Sequence, residues 1–155
     1  MSMAHLVAGW SKDPSTKVGC VIVSTKKHQA GRILATGFNG FVENAQDDEE
    51  LYLDREFKYK HITHAEDNAL QSLLFPHNRL VLFSSFPVCP ECVDKIIATR
   101  QRGIYIDKII QPKFAPLTIG RSNEWIDGWK TSICKSEIKL TKAGIEIEEI
   151  EYYNV

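Results

Sequence analysis

Apolar residues recur along this chain in short runs whose period changes from place to place, and those changes mark its elements. SMAHLVAGWS, residues 2–11, places Met3, Leu6, Val7 and Trp10 at helical spacing and predicts a first helix. SKDPST is a polar turn shaped by Pro14. VGCVIV (18–23) and GRILATGF (31–38) are short apolar runs on either side of the polar TKKHQA, and they predict two strands paired as a hairpin. NGFVENAQDDEELYLDREFKYK (39–60) has no clear period. It carries seven acidic residues between Glu43 and Glu56, and it reads as a solvated loop with a short helical piece, or as a lid or subunit contact over a site.

From residue 61 onward the pattern becomes regular. HAEDNALQSLL is a helix with Ala65, Ala69, Leu70, Leu73 and Leu74 on its apolar side. RLVLFSS is a third strand. CPECVDKIIATRQR is a helix opened by Pro90, a favoured first-turn residue, with Val93, Ile96 and Ile97 apolar. GIYIDKIIQP is a fourth strand. SNEWIDGWKTSICKSEIKLTKAG reads as a long helix, with or without an interruption, that Gly144 stops. IEIEEIEYY is a fifth strand. Strands alternating with helices predict α/β layering around a mostly parallel sheet.

Composition narrows the class. A chain of 155 residues suits one domain, residues 1–155, and can bury enough surface to fold without disulfides. The net charge of -1 offers no basic face for DNA or RNA, though it leaves room for a small anion held by two or three basic groups. No apolar run approaches the roughly 20 residues of a membrane span, and the first residues lack the pattern of a signal peptide. Four cysteines occur. In a chain of cytoplasmic character, a close pair points to metal or redox chemistry rather than to bridges.

That pair is Cys89 and Cys92, three apart at the start of a helix, where free N–H groups favour thiolate. His64 stands at the first turn of another helix. Packed side by side, the two helices would join one imidazole and two thiolates. Three protein ligands with the fourth position left to water is the arrangement of a catalytic zinc site, whose water ionises near pH 7. Glu66 lies two residues past His64. A two-residue step turns about 200° on a helix, so both reach one site only if His64 sits at the helix edge. Alone, C-x-x-C is compatible with metal, redox chemistry or coincidence. H-x-E followed by C-x-x-C, each opening a helix, is the pattern of zinc-dependent nucleobase deaminases, in which the Glu moves protons and does not bind metal. Cys20 and Cys134 read as structural residues, and His61 in H-x-x-H lacks a further ligand set.

With these motifs in view, the sequence resembles the deoxycytidylate (dCMP) deaminases of the cytidine deaminase superfamily nearly end to end. The similar stretches are SKDPSTKVGCVIV, GFNGF, DREFKYKHITHAEDNAL, CPECVDKIIATRQRGI and WKTSICKSEIKLTKAGIEI. The resemblance implies a three-layer α/β/α fold with a five-stranded mixed sheet flanked by helices. It implies zinc held by His64, Cys89 and Cys92, with Glu66 as catalytic proton shuttle. Asn39 would hydrogen-bond the deoxyribose, Ala65 would contact substrate, and Asn68 would pin the start of its helix. Phosphate contacts would come from Lys12, Ser15, Thr16, Arg55 and Lys58, and Trp125 or Trp129 would cover the base. The implied reaction is hydrolysis of dCMP to dUMP and ammonia. Alternatives are a 5-substituted dCMP, dCTP, free cytidine or deoxycytidine, guanine or a base in RNA, a non-catalytic zinc-binding regulatory relative, or a thiol redox protein. The resemblance further implies a cytoplasmic homo-oligomer, often a hexamer, regulated by dCTP and dTTP. Three features depart from the pattern. Val88 separates Pro87 from Cys89, Asp67 stands where relatives have an apolar or basic residue, and FVENAQ lacks a Pro-Arg-Gly.

Overall fold

The computed structural model describes residues 1–41 and 49–151. Glu43, Asp47 and Asp48 of the acidic run, most of FVENAQ, and Tyr152 and Tyr153 of the last predicted strand lie outside the described residues. The chain forms helix α1 (Ser2–Ala8), strands β1 (Gly19–Ser24) and β2 (Ile33–Phe38), and the two-residue strand β3 (Gly40–Phe41). Helices α2 (Glu49–Leu53) and α3 (Arg55–His61), strand β4 (Ile62–Thr63) and helix α4 (Ala65–Gln71) follow. The second half runs β5 (His77–Ser84), α5 (Pro90–Ala98), β6 (Ile104–Pro112), α6 (Asn123–Ala143) and β7 (Glu146–Ile150).

The main sheet has strand order β2-β1-β5-β6-β7. β1 is antiparallel to both β2 and β5, whereas β5, β6 and β7 are parallel. The sheet is thus mixed, with less parallel pairing than the helix–strand alternation predicts. The difference lies in β1, which enters beside β5 from a hairpin and not through a crossover helix. Alternation along β1 divides its side chains between two layers. Cys20 and Ile22 join the large core with Ala65, Ala69 and Leu70 of α4, Val93 and Ile96 of α5, and Leu140 of α6. Val21 faces the other way, onto Ala4 and Val7 of α1. Two helical layers therefore flank the sheet.

Of the predicted apolar stripe of α1 only Val7 is buried. Met3, Leu6 and Trp10 are exposed, and Ala4, Val7 and Ala8 meet the sheet. Close approach explains this, because a Cβ on Gly19 would lie 2.1 Å from the Ala4 carbonyl oxygen. Only small residues fit at that contact. α6 runs unbroken to Gly144, whose φ of 68° takes the left-handed form expected of a helix stop. The described residues of the aperiodic segment form a short strand and short helices. β3 pairs with β4, and Phe41 packs on Tyr52 and Phe57 to hold α2 and α3 beside the sheet. Among the described residues no helix is long and apolar enough to cross a membrane.

Candidate active site

His64 precedes the first residue of α4 and has extended backbone angles, φ -75° and ψ 155°. Cys89 holds the same place at α5, with φ -76° and ψ 160°, and its sulfur accepts from the Cys92 N–H at 3.5 Å. Both helices begin at the same end of the sheet. The His64 Nδ1 lies 3.4 Å from the Cys89 sulfur and 3.3 Å from the Cys92 sulfur, and the three ligand atoms fall within 4.8 Å of one another. Those spacings are close to the edges of a tetrahedron with metal–ligand bonds of about 2.0–2.3 Å. The Cys92 thiol, hydrogen-bonded to the Cys89 sulfur, and His64 hold the Cys89 thiol down at about 4 against its burial. The same hydrogen bond, burial and Glu66 push the Cys92 thiol far up. An imidazole and two sulfurs converging there are the N and S donors that zinc takes, and the ion would replace the protons on His64 and Cys92.

Glu66 lies behind this group and is 4% exposed. Burial pushes its carboxyl up, and the neighbouring His64 pulls it back in part. The Ser84 hydroxyl, at the end of β5, donates to Oε1 at 2.8 Å. The Cys92 thiol donates to Oε2 at 3.6 Å. Ser84 was not singled out from the sequence. Its only signal is its place at the end of a strand whose inward neighbours, Leu80 and Leu82, are core. Asn68, as expected, pins the helix start, with Nδ2 donating to the Phe38 carbonyl at 2.7 Å.

In front of the group opens a cavity of about 380 Å³. His64, Ala65, Glu66 and Cys89 line its inner end. Trp125, Trp129 and Phe86 form an aromatic wall in which Phe86 meets Trp129 edge-on at 4.8 Å. Tyr52, Tyr59, Arg55 and Lys58 reach it from α2 and α3, so part of the aperiodic segment is a wall of the cavity.

Of the predicted substrate contacts, Lys12 lies off the cavity, and Asn39 and Lys58 line it with polar groups already engaged. Lys12 is exposed and does not line the cavity, because Ser11 and Asp13 on either side turn inward and leave it facing out. Asn39 lines the cavity, but both its amide hydrogens are taken, by Asp13 Oδ2 at 3.3 Å and the Thr16 carbonyl at 2.9 Å. Its Oδ1 accepts from the Val18 N–H at 2.7 Å and keeps one lone pair for a ligand. Lys58 is buried against Asp13, with Nζ 2.6 Å from Oδ2 and 2.6 Å from the Ser15 hydroxyl. Asp13 is itself 1% exposed. Burial pushes its carboxyl up, but Lys58 and the donors of Ser15 and Thr16 outweigh that and hold it below the usual range. Arg55, Ala65, Ser15, Thr16, Trp125 and Trp129 all line the cavity. Arg121, which was missed, lines it too and sits 5.0 Å over the Trp125 ring. The signal available was a cation one residue before the helix-capping Ser122, beside a tryptophan already of interest. Asp67 does not face the cavity. It pairs with Lys95 between α4 and α5.

The sequence model of the family described as "Cytidine and deoxycytidylate deaminase zinc-binding region" matches residues 1–108. An "Uncharacterized deaminase in luxG 3'region" of Aliivibrio fischeri is 36% identical over 149 residues, covering 94% of this chain and 86% of the relative. The deoxycytidylate deaminase of Mus musculus is 38% identical over 113 residues, 67% of this chain and 58% of that protein, so the chain spans just over half of it. Among solved structures, dCMP deaminase from the cyanophage S-TIM5 in complex with dCMP and dUMP shares the fold, with a TM-score of 0.64, 22% identity and coverage of 96% and 92%.

Proposed function

The chain belongs to the cytidine and deoxycytidylate deaminase family, and from that membership we propose that it hydrolyses the amino group of a cytosine nucleotide, dCMP to dUMP and ammonia. The observation that carries this reading is the His64, Cys89 and Cys92 group, backed by a buried Glu66, at the inner end of a cavity that can take a nucleotide. The family is zinc-binding, and the donor set fits zinc. When bound, the ion lowers the pKa of a water to near neutrality.

The remaining roles belong to the protein. Glu66 takes a proton from the attacking water at Oε2 and delivers it to ring N3 as the water oxygen adds to C4. It then takes the proton of the new C4 hydroxyl and passes it to the amino group, so that the C4 carbonyl forms as the C4–N bond breaks and ammonia leaves. Ser84 occupies Oε1 and leaves Oε2, on the side of the Cys92 sulfur, for the proton transfers. Thiolate ligation by Cys92 removes the one donor now on Oε2. The Asn39 Oδ1 lone pair can accept from a deoxyribose hydroxyl. Phe86, Trp125 and Trp129 give the base an apolar wall.

The phosphate falls to Arg55 and Arg121. Both are exposed at the cavity, and neither forms an ion pair among the described residues, whereas Asp13 neutralises Lys58. Ammonia release scored over deoxycytidine, dCMP, dCTP and 5-substituted dCMP tests the reading. dCMP should have the highest kcat/KM, and Arg121→Gln should narrow its lead over deoxycytidine. Turnover of none of them would refute the proposal. The family resemblance also supports a single catalytic domain over residues 1–155, acting in the cytoplasm as a homo-oligomer regulated by dCTP and dTTP. Kinetics and sedimentation unchanged by those triphosphates would refute the regulation.

A further inference from the structure

Val88 stands between Pro87 and the ligand Cys89, and its backbone is gripped from two other elements. Its N–H donates to the Gln111 side-chain oxygen at 3.0 Å, from the end of β6. Its carbonyl accepts from the Ser136 hydroxyl at 2.8 Å, from the middle of α6. All three residues are buried, with Val88 1%, Gln111 3% and Ser136 4% exposed. We propose that Gln111 and Ser136 are positioning residues that hold Cys89 in its ligating geometry through the Val88 peptides. The proposal rests on the reading of His64, Cys89 and Cys92 as the metal group.

The argument is one of degrees of freedom. The Gln111 bond fixes the peptide plane between Pro87 and Val88, and the Ser136 bond fixes the plane between Val88 and Cys89. These two bonds set the plane that enters Cys89, and the Val93 N–H on the Cys89 carbonyl sets the plane that leaves it; together they fix φ of Cys89 and the direction of its Cα–Cβ bond. Cys92 needs no such support, because it lies inside the first turn of α5. Cys89 lies outside the helix, in extended backbone; α5 holds it only from the far side, through the Val93 N–H on its carbonyl at 3.0 Å and the Cys92 N–H on its sulfur at 3.5 Å. The Gln111 contact also depends on residue 88 having an N–H, which a proline there would lack. Neither Gln111 nor Ser136 lines the cavity, so neither acts on substrate directly. Outer groups that orient metal ligands typically change metal affinity by about 10- to 100-fold when removed.

The test follows zinc release from the loaded full-length protein into a chromophoric chelator, alongside thermal unfolding of the loaded and stripped forms. Ser136→Ala and Gln111→Leu should each release zinc about tenfold faster or more. Ser136→Thr keeps the hydroxyl and should release at close to the parent rate. Ile133→Val, on α6 and outside the core cluster that contains Val88, controls for loss of core stability. Release no faster from the Ala and Leu variants than from Ile133→Val would overturn the proposal, as would a folded Ser136→Thr that behaves like Ser136→Ala. Should Ser136→Ala not fold, Gln111→Leu decides alone by the same criterion. Zinc release is read without substrate, so the result does not depend on which nucleotide is deaminated.

Discussion

Replacing Asp13 by Asn tests whether Lys58 belongs to the cavity wall or to the substrate. The change keeps the shape of the side chain and removes its charge. Lys58 is 9% exposed, so its ammonium would be left buried with no counter-charge. Breaking a buried ion pair from one side costs about 3–5 kcal/mol. The Ser15 hydroxyl and an amide oxygen would remain as acceptors for Nζ, which places the loss at the lower end, about 3 kcal/mol. In a chain of this length each kcal/mol moves Tm by about 2–4 °C, so a fall of about 6–12 °C is expected. Lys58→Met should cost less, because Asp13 keeps the Ser15 N–H and hydroxyl, the Thr16 N–H and the Asn39 amide. The double variant should be more stable than the sum of the two losses allows, by about 1 kcal/mol or more. Urea unfolding of the four metal-stripped proteins measures this. Losses that add to within about 0.5 kcal/mol would refute the pairing argument.

The same pair has a pH signature. The Asp13 carboxyl titrates lower folded than its ordinary 3.8, so its contribution is complete above about pH 4 and is lost as pH falls through the folded value. Asp13→Asn should therefore flatten the acid limb of the stability profile below pH 4 and leave a constant offset from pH 6 to 8. A wall role for Lys58 also predicts that Lys58→Met raises KM for dCMP and for deoxycytidine alike. A loss confined to dCMP would make Lys58 the phosphate ligand and displace Arg121 from that role.

Glu66→Gln should retain zinc by metal analysis but lower kcat by about 10²–10⁴, the usual worth of a positioned acid–base group; retained ammonia release would refute its role. Ser84→Ala should lower kcat by roughly 10- to 100-fold with KM held, since a hydrogen bond to a charged group is worth about 1.5–3 kcal/mol. An unchanged kcat would show that Glu66 needs no orienting partner. Gly37→Ala should disturb α4 as a whole, because the new Cβ would lie 2.3 Å from the Ala65 carbonyl oxygen and 2.4 Å from the Ala69 nitrogen. Zinc content and Tm should then fall together, by about 1–3 kcal/mol or more in stability. Removal of zinc by a chelator should lower Tm of the parent protein, by an amount equivalent to about 4 kcal/mol where free zinc had stood at 1,000 times Kd.

The inner end of the site was legible because its chemistry fixes residue types at fixed spacing. A thiolate pair opening one helix and an imidazole opening another leave few alternatives once the two helices start side by side. The outer end was less legible. Lys12, Lys58 and Arg55 look equivalent in sequence, as cations near a turn or a short helix. What separates them is the buried Asp13, which takes Lys58 out of play and turns Lys12 outward. Nothing local to DPST announces that its Asp is buried, because the cover comes from Asn39 and Lys58, 26 and 45 residues further along. The exposed stripe of α1 failed for a related reason. Its spacing is helical on either face, and the glycine that selects the small-residue face lies on β1.

The spacing of His64 and Glu66 poses the geometric question that the fold has to solve. Two residues apart inside a helix they would point about 200° apart, and no single site could use both. The chain avoids this by starting its helix between them. His64 keeps extended backbone, set by the short β3–β4 pairing just before it, while Glu66 is already in the first turn. The imidazole then projects from the end of α4 toward α5, and the carboxylate projects from its side toward β5, where Ser84 receives it. Gly37 lets β2 come close enough to fix the start of α4 at that depth. Cys89 solves the same problem at α5 by the same device, lying outside the helix while Cys92 lies inside. Each half of the site is thus one residue before a helix joined to one residue within it, and the chemistry depends on where two helices begin.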